Sequence, residues 1–194
     1  TIGSPRKVEE LVAAARDRKV PIRIGVNAGS LEKHLLNLYG GPTPEAMVES
    51  ALGHVAMLER LGFDRIKISL KASDVPRTIQ AYRLLADRVE YPLHVGITEA
   101  GPGISGVVKS AVGLGILLSE GIGDTLRVSL TGPPMEEVRA GWAILAALGI
   151  RRRAINVVSC PTCGRCEDDV MTIAQEVERA LDGLNAPFTV AVMG

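Results

Sequence analysis

The chain has 194 residues, 46% of them apolar and only 3% aromatic, which is enough for one domain and part of another around an aliphatic core. Lys and Arg total 22 and Asp and Glu total 22, so the formal net charge is zero, and nothing suggests a polyanion partner such as nucleic acid. The most apolar stretch, residues 107–118, carries Lys109 and Ser110 and is too short to span a bilayer, so no membrane association is expected. No signal-peptide pattern is visible, and a C-x-x-C without an even set of cysteines favours a reducing, cytoplasmic setting.

The opening phrase T-I-G-S-P-R-K-V-E-E is polar and helix-entering and lacks an initiating Met, so the chain is expected to be a fragment of a longer protein. From there one rhythm repeats: a short apolar run bounded by Gly or Pro, then a longer stretch with helical spacing. The runs 22–26, 65–70, 93–97, 125–130, 154–158 and 188–192 predict strands. The stretches 44–61, 75–89, 105–120, 135–148 and 168–184 predict helices. Pro44 with Glu45 and Pro134 with Glu136 and Glu137 suit helix starts, where a missing N–H costs nothing and an acid faces the positive dipole end. Gly62, Gly121 and Gly149 suit C-terminal caps. Strict β/α alternation with crossovers of helix length implies a parallel sheet covered by helices, and function then collects at the C-terminal ends of the strands.

Those ends carry Asn27 to Ser30, Lys71 to Ser73, Thr98 to Gly101, and Arg127, Ser129 and Thr131. Strand residues alternate in direction, so Arg127 and Ser129 point away from Leu126, Val128 and Leu130. An arginine inside a barrel is costly unless an anion meets it, and a diphosphate would serve, with Lys71 as a point charge and the arginines as planar forks. The competing reading is a structural ion pair of Arg127 with Glu99 or Asp124. Arg23 has the weaker individual case, since arginines on an outer strand face simply snorkel. Glu99 sits in a rim loop before a Gly-rich turn, where a carboxyl can act as acid or base or merely be solvated. His94 is expected to be a packed strand residue, and His34 and His54 to be surface residues of helices. Gly101-Pro102-Gly103-Ile104-Ser105-Gly106 fits the G-x-G-x-x-G dinucleotide fingerprint, but the acid required about twenty residues on is replaced by Arg127, Val128 and Ser129, which argues against NAD.

All three cysteines, Cys160, Cys163 and Cys166, cluster in A-I-N-V-V-S-C-P-T-C-G-R-C. A C-x-x-C turn after an apolar strand points two sulfurs at one metal, or forms a redox pair. Zinc would want a second C-x-x-C or a His pair downstream, and neither follows. An iron-sulfur cluster, zinc and a redox dithiol all remain open from these residues, with the cluster favoured. Cys166 extends the run or is a spare small residue opening the next helix.

Five phrases closely resemble the 4-hydroxy-3-methylbut-2-enyl diphosphate synthase family: P-I-R-I-G-V-N-A-G-S-L-E-K from Pro21, K-A-S-D from Lys71, P-L-H-V-G-I-T-E-A-G from Pro92, S-E-G-I-G-D-T-L-R-V-S-L from Ser119 and S-C-P-T-C-G-R from Ser159. The resemblance runs through residues 2–194, in order. It implies a TIM barrel that binds 2-C-methyl-D-erythritol 2,4-cyclodiphosphate, followed by a smaller α/β domain carrying a 4Fe-4S cluster that flavodoxin or ferredoxin reduces. It further implies a homodimer in which the cluster domain of one subunit closes over the barrel of the other. Residues 1–151 then correspond to the second half of the barrel, its last four strands, and residues 152–194 to the start of the iron-sulfur domain.

By the same resemblance Cys160 and Cys163 are cluster ligands, Arg23, Asn27, Lys71, Arg127 and Ser129 hold the cyclic diphosphate, and Glu99 is the catalytic acid. The family's third cluster cysteine and its ligand Glu come in a phrase beyond Gly194, and Cys166 has no ligand counterpart. The alternative function is a zinc-stabilised, non-enzymatic α/β module or a phosphate-binding barrel fragment.

Overall fold

The computed structural model describes residues 5–151, 155–160, 169–181, 183–184, 186 and 188–193. Backbone contacts divide the chain into two units, Thr1–Ile144 and Leu145–Gly194.

The first unit opens with α1 (Pro5–Asp17), which buries Val8, Val12 and Ala15 along one stripe and extends the helix-entering phrase of the sequence. Strand β1 (Ile22–Asn27) leads through a short 3-10 turn (Ala28–Ser30) into α2 (Lys33–Tyr39) and α3 (Pro44–Arg60). Thr43 caps α3 by accepting the Ala46 N–H at 3.2 Å, and Pro44 occupies the first turn as expected. Then follow β2 (Ile66–Lys71), α4 (Val75–Ala86), β3 (His94–Val95), α5 (Gly103–Ser119), β4 (Thr125–Leu126) and α6 (Pro134–Ala147). Asp74 Oδ1 caps α4 by accepting the Arg77 N–H at 2.7 Å. Gly62, Gly121 and Gly149 close α3, α5 and α6 with φ of 66°, 77° and 69°, the left-handed caps read from the sequence. The alternation is not strict, because α2 and α3 both stand between β1 and β2.

Strands β1 and β2 are parallel over six residue pairs, from Ile22 beside Ile66 to Asn27 beside Lys71. A single parallel bridge, Ile68 to Leu93, joins β2 to β3, and β3 pairs with β4 through His94 to Thr125 and Val95 to Leu126. Helices α3 and α4 pack on β1 and β2 and against each other, and α5 packs on α4. Between these layers lie Ile24, Val26, Ile66, Ile68, Leu70, Val95 and Ile97 from the sheet with Met47, Ala51, Leu58, Tyr82, Leu85, Leu114 and Leu117 from the helices, all buried. A fully buried aliphatic side chain of this kind contributes about 1.5–3 kcal/mol, so this layer is where the unit is held together.

Two strands are shorter than the sequence suggests: 93–97 contracts to His94–Val95 and 125–130 to Thr125–Leu126. Beyond those pairs the ladder thins to single hydrogen bonds, Arg127 N–H to Val95 O at 2.9 Å and Thr98 N–H to Ala72 O at 3.2 Å, with a last bridge between Gly101 and Leu130. The G-x-G-x-x-G phrase has a packing explanation: a Cβ on Gly106 would overlap the Gly101 carbonyl oxygen, so the glycine lets α5 start directly against the loop.

In the second unit β5 (Asn156–Ser159) crosses over through α7 (Val170–Leu181) to pair in parallel with β6 (Thr189–Val192). Asp169 caps α7, its carboxylate accepting the Thr172 N–H at 3.1 Å and hydroxyl at 2.6 Å. No described helix in either unit is long and apolar enough to cross a membrane.

Candidate functional site

Alternation along β1 sends Ile24 and Val26 into the helical layer and leaves Arg23, Gly25 and Asn27 exposed on the opposite sheet face. Register carries this face across the sheet. Arg23 lies beside Lys67, Gly25 beside Ser69 and Asn27 beside Lys71. The Ile68–Leu93 bridge then sets His94 next to Ser69, and His94 pairs with Thr125. Two residues further along each strand, Lys71, Gly96 and Arg127 form the next row. A Cβ on Gly96 would lie 2.5 Å from Arg127 O, an overlap, and 3.5 Å from Lys71 Cε, an ordinary contact, so a side chain there would collide with the Arg127 backbone.

Lys71 is only 6% exposed, and its burial, together with the charges of Arg23 and Arg127, brings its pKa down to about 8. His94, half-buried, is brought down to about 4 by burial and by Lys71, Arg23, Lys67 and Arg127. Among the described residues no carboxylate stands in ion-pair reach of these cations. The ion pairs are Arg6–Glu10, Glu32–His54 and Arg83–Glu120. The proposed pair of Arg127 with Glu99 or Asp124 does not form; the Asp124 carboxylate instead accepts the Leu93 N–H at 2.8 Å. Clustered cations without acids, one of them buried, raise the local positive potential and suit the face to an anion.

Ser129, half-buried, follows Arg127 on the same side, while Val128 is buried on the other, as the alternation requires. Glu99 is exposed and stands at φ 52°, a left-handed backbone that a non-glycine residue adopts at a cost of about 1 kcal/mol or more. Its loop is stitched to the segment after β4 by the Gly101–Leu130 bridge and by the Thr131 N–H to Gly101 O bond at 3.2 Å. Glu99 and Ser129 therefore sit on adjoining loops at the rim of the cationic face.

One expectation is overturned at the loop after β1. His54 is not a surface residue; its side chain is 18% exposed, and its Nε2 lies 3.1 Å from Glu32 Oε1. Burial of α3 against β1 carries His54 under that loop, which the helical periodicity of α3 alone did not show. His34 is exposed, as read from the sequence.

In the second unit Cys160 directly follows β5, its N–H bonded to Val192 O at 3.2 Å. It is half-buried and lines a groove of about 560 Å³ with Ser159, Val170, Met171 and Glu178. Cys163 and Cys166 lie outside the described residues, and among those described no three His, Cys, Asp or Glu side chains gather as a metal site.

Residues 1–142 match the family model described as the GcpE TIM-barrel domain, and residues 156–194 match the GcpE protein C-terminal domain. A protein of Geobacter sulfurreducens named 4-hydroxy-3-methylbut-2-en-1-yl diphosphate synthase (flavodoxin) is 70% identical over 193 residues, covering 100% of this chain and 55% of the relative. Proteins of the same name from Maridesulfovibrio salexigens and Symbiobacterium thermophilum are 61% and 59% identical, with 100% of this chain and 54% and 52% of the relatives covered. The chain spans about half the length of the curated relatives it matches. Mixed α/β architecture, a parallel sheet under a helical layer and both domain matches in sequence order agree, and the chain belongs to the GcpE family.

Proposed function

We propose that the protein of which this chain is part opens the ring of 2-C-methyl-D-erythritol 2,4-cyclodiphosphate reductively, giving 4-hydroxy-3-methylbut-2-enyl diphosphate and water. The C–O bond to one phosphate breaks, a hydroxyl leaves as water, and two electrons and two protons are consumed. The observation that carries this reading is the acid-free cationic face of Arg23, Lys71 and Arg127, with Lys71 almost fully buried, in a chain whose relatives bear the name of that synthase.

In this reading Arg23, Lys71 and Arg127 bind the two phosphates, and Asn27 and Ser129 hydrogen-bond to them at the strand ends. The rim acid Glu99 gives a proton to the departing oxygen, since a carboxyl held beside the ligand by an unusual backbone is suited to that task. Residues 1–151 are the second half of a TIM barrel, and residues 152–194 begin the cluster domain. The whole protein is a cytoplasmic homodimer that takes its electrons from flavodoxin, the donor printed in the relatives' names; ferredoxin would deliver the same electrons.

A 4Fe-4S cluster is the cofactor this chemistry calls for, and Cys160 with Cys163 would hold two of its irons. A half-buried thiol at a strand end, opening on a groove, fits such a ligand. When bound, the cluster supplies electrons one at a time.

The test is the full-length protein, reconstituted anaerobically with iron and sulfide and supplied with reduced flavodoxin. Consumption of the cyclodiphosphate and appearance of the linear diphosphate are expected. Lys71→Met and Arg127→Met should each lower kcat/KM by about 100-fold or more, the usual loss when a charge-stabilising group is removed. Bound zinc with no visible absorption, or turnover unchanged in both variants, overturns the reading.

A further inference from the structure

His94 lies on the cationic face in the row directly beneath Lys71 and Arg127, beside Ser69 of β2 and Thr125 of β4. Its Nδ1 is 2.8 Å from Thr125 Oγ1, which fixes the ring plane. From the helical layer behind, the Tyr82 hydroxyl donates to the His94 carbonyl at 2.6 Å, which fixes the backbone. The ring itself is half-exposed toward the face, and among the described residues its Nε2 has no partner. The charged groups around it are Arg23 from β1, Lys67 and Lys71 from β2, and Arg127 beyond β4; no carboxylate is among them. A basic nitrogen is thus held unprotonated directly below the place where an anion would sit.

We propose that His94 is a further substrate-binding residue of this site: as the cyclic diphosphate settles on Arg23, Lys71 and Arg127, the imidazole takes up a proton and becomes an additional cation beneath it. The inference rests on the anion-binding reading of the same face. Burial and the four surrounding cations hold the free ring at a pKa of about 4. A bound dianion offsets those cations and returns the ring toward its ordinary value of about 6.5. Between about pH 4 and 6.5 the complex then holds a proton that the free protein lacks, so affinity rises as pH falls through that window. Lys71, at about 8, is already charged below pH 7, so its own linkage to binding is confined to alkaline solution, where affinity falls as pH rises.

The experiment is calorimetric titration of the full-length, oxidised protein with the cyclodiphosphate and no reductant. Each of the ligand's phosphates carries one strongly acidic proton, so the ligand does not titrate near neutrality. Heats in two buffers of different ionisation enthalpy at pH 6 should report uptake of about 0.7 proton per ligand bound, and Kd should tighten about 20-fold from pH 7 to pH 5. His94→Gln should abolish the uptake and flatten most of the pH dependence. Uptake that persists in His94→Gln, or wild-type binding at pH 6 with no uptake, overturns the inference while leaving the anion site intact. Absence of any binding overturns both. The ring ¹⁵N shifts of His94 in the wild-type protein give the same answer without a variant: a change to imidazolium values on ligand addition at pH 6 is expected, and unchanged neutral values overturn it.

Discussion

At the scale of single residues, Gly96 shows how a position without a side chain can decide a site. The methyl of Gly96→Ala would stand 2.5 Å from Arg127 O, so β4 must move away from β3 and take Arg127 with it. The expected cost is about 1–3 kcal/mol of stability, as for other overpacked positions, together with weaker binding of the cyclodiphosphate. Urea midpoints and calorimetric Kd values check this. Gly115→Ala on α5, where a Cβ meets nothing within 4 Å, is the control, expected to be neutral or stabilising. The same contrast marks what was legible in the sequence. Alternation and charge single out Lys71 and Arg127 near the C-terminal ends of the predicted strands, whereas Arg23, Asn27 and Ser129 are assigned to the ligand by the family resemblance. The placing of Lys67, His94 and Gly96 on the same face has no such local signal, because it comes from the register between strands far apart in the chain. His54 was misjudged for a related reason: the face it presents is set by what α3 packs against.

At the scale of elements, the junction between β2 and β3 consists of one bridge, and the helical layer reinforces it. Tyr82 of α4 is fully buried, accepts the Leu70 N–H at 2.9 Å and donates to the His94 carbonyl at 2.6 Å, spanning the two strands. Burial raises its pKa well above the ordinary phenol range, so it is a neutral hydroxyl at any working pH. Tyr82→Phe leaves both backbone groups without a partner and should cost about 1–3 kcal/mol, read as a lowered urea midpoint. Helix-length periodicity located α3 to α7 to within a few residues, because their apolar stripes are long. It undervalued α2, which is only seven residues long. It overextended β3 and β4, because apolar runs continue there after the ladder has thinned to isolated hydrogen bonds.

At the scale of the whole molecule, β1 pairs only with β2 among the described residues, so its other edge presents unsatisfied N–H and C=O groups. The 194-residue chain produced alone is therefore expected to self-associate, with a mass by light scattering that rises with concentration; a concentration-independent monomer would argue against this. The cationic face has a consequence for how the chain reaches its native state. Its charges come from strands separated by entire helical crossovers, and where the fold brings them together they repel. An anion that binds them stabilises the native state by mass action and not the unfolded one. Under the proposed function the cyclodiphosphate is then a stabilising ligand of the fold as well as a substrate.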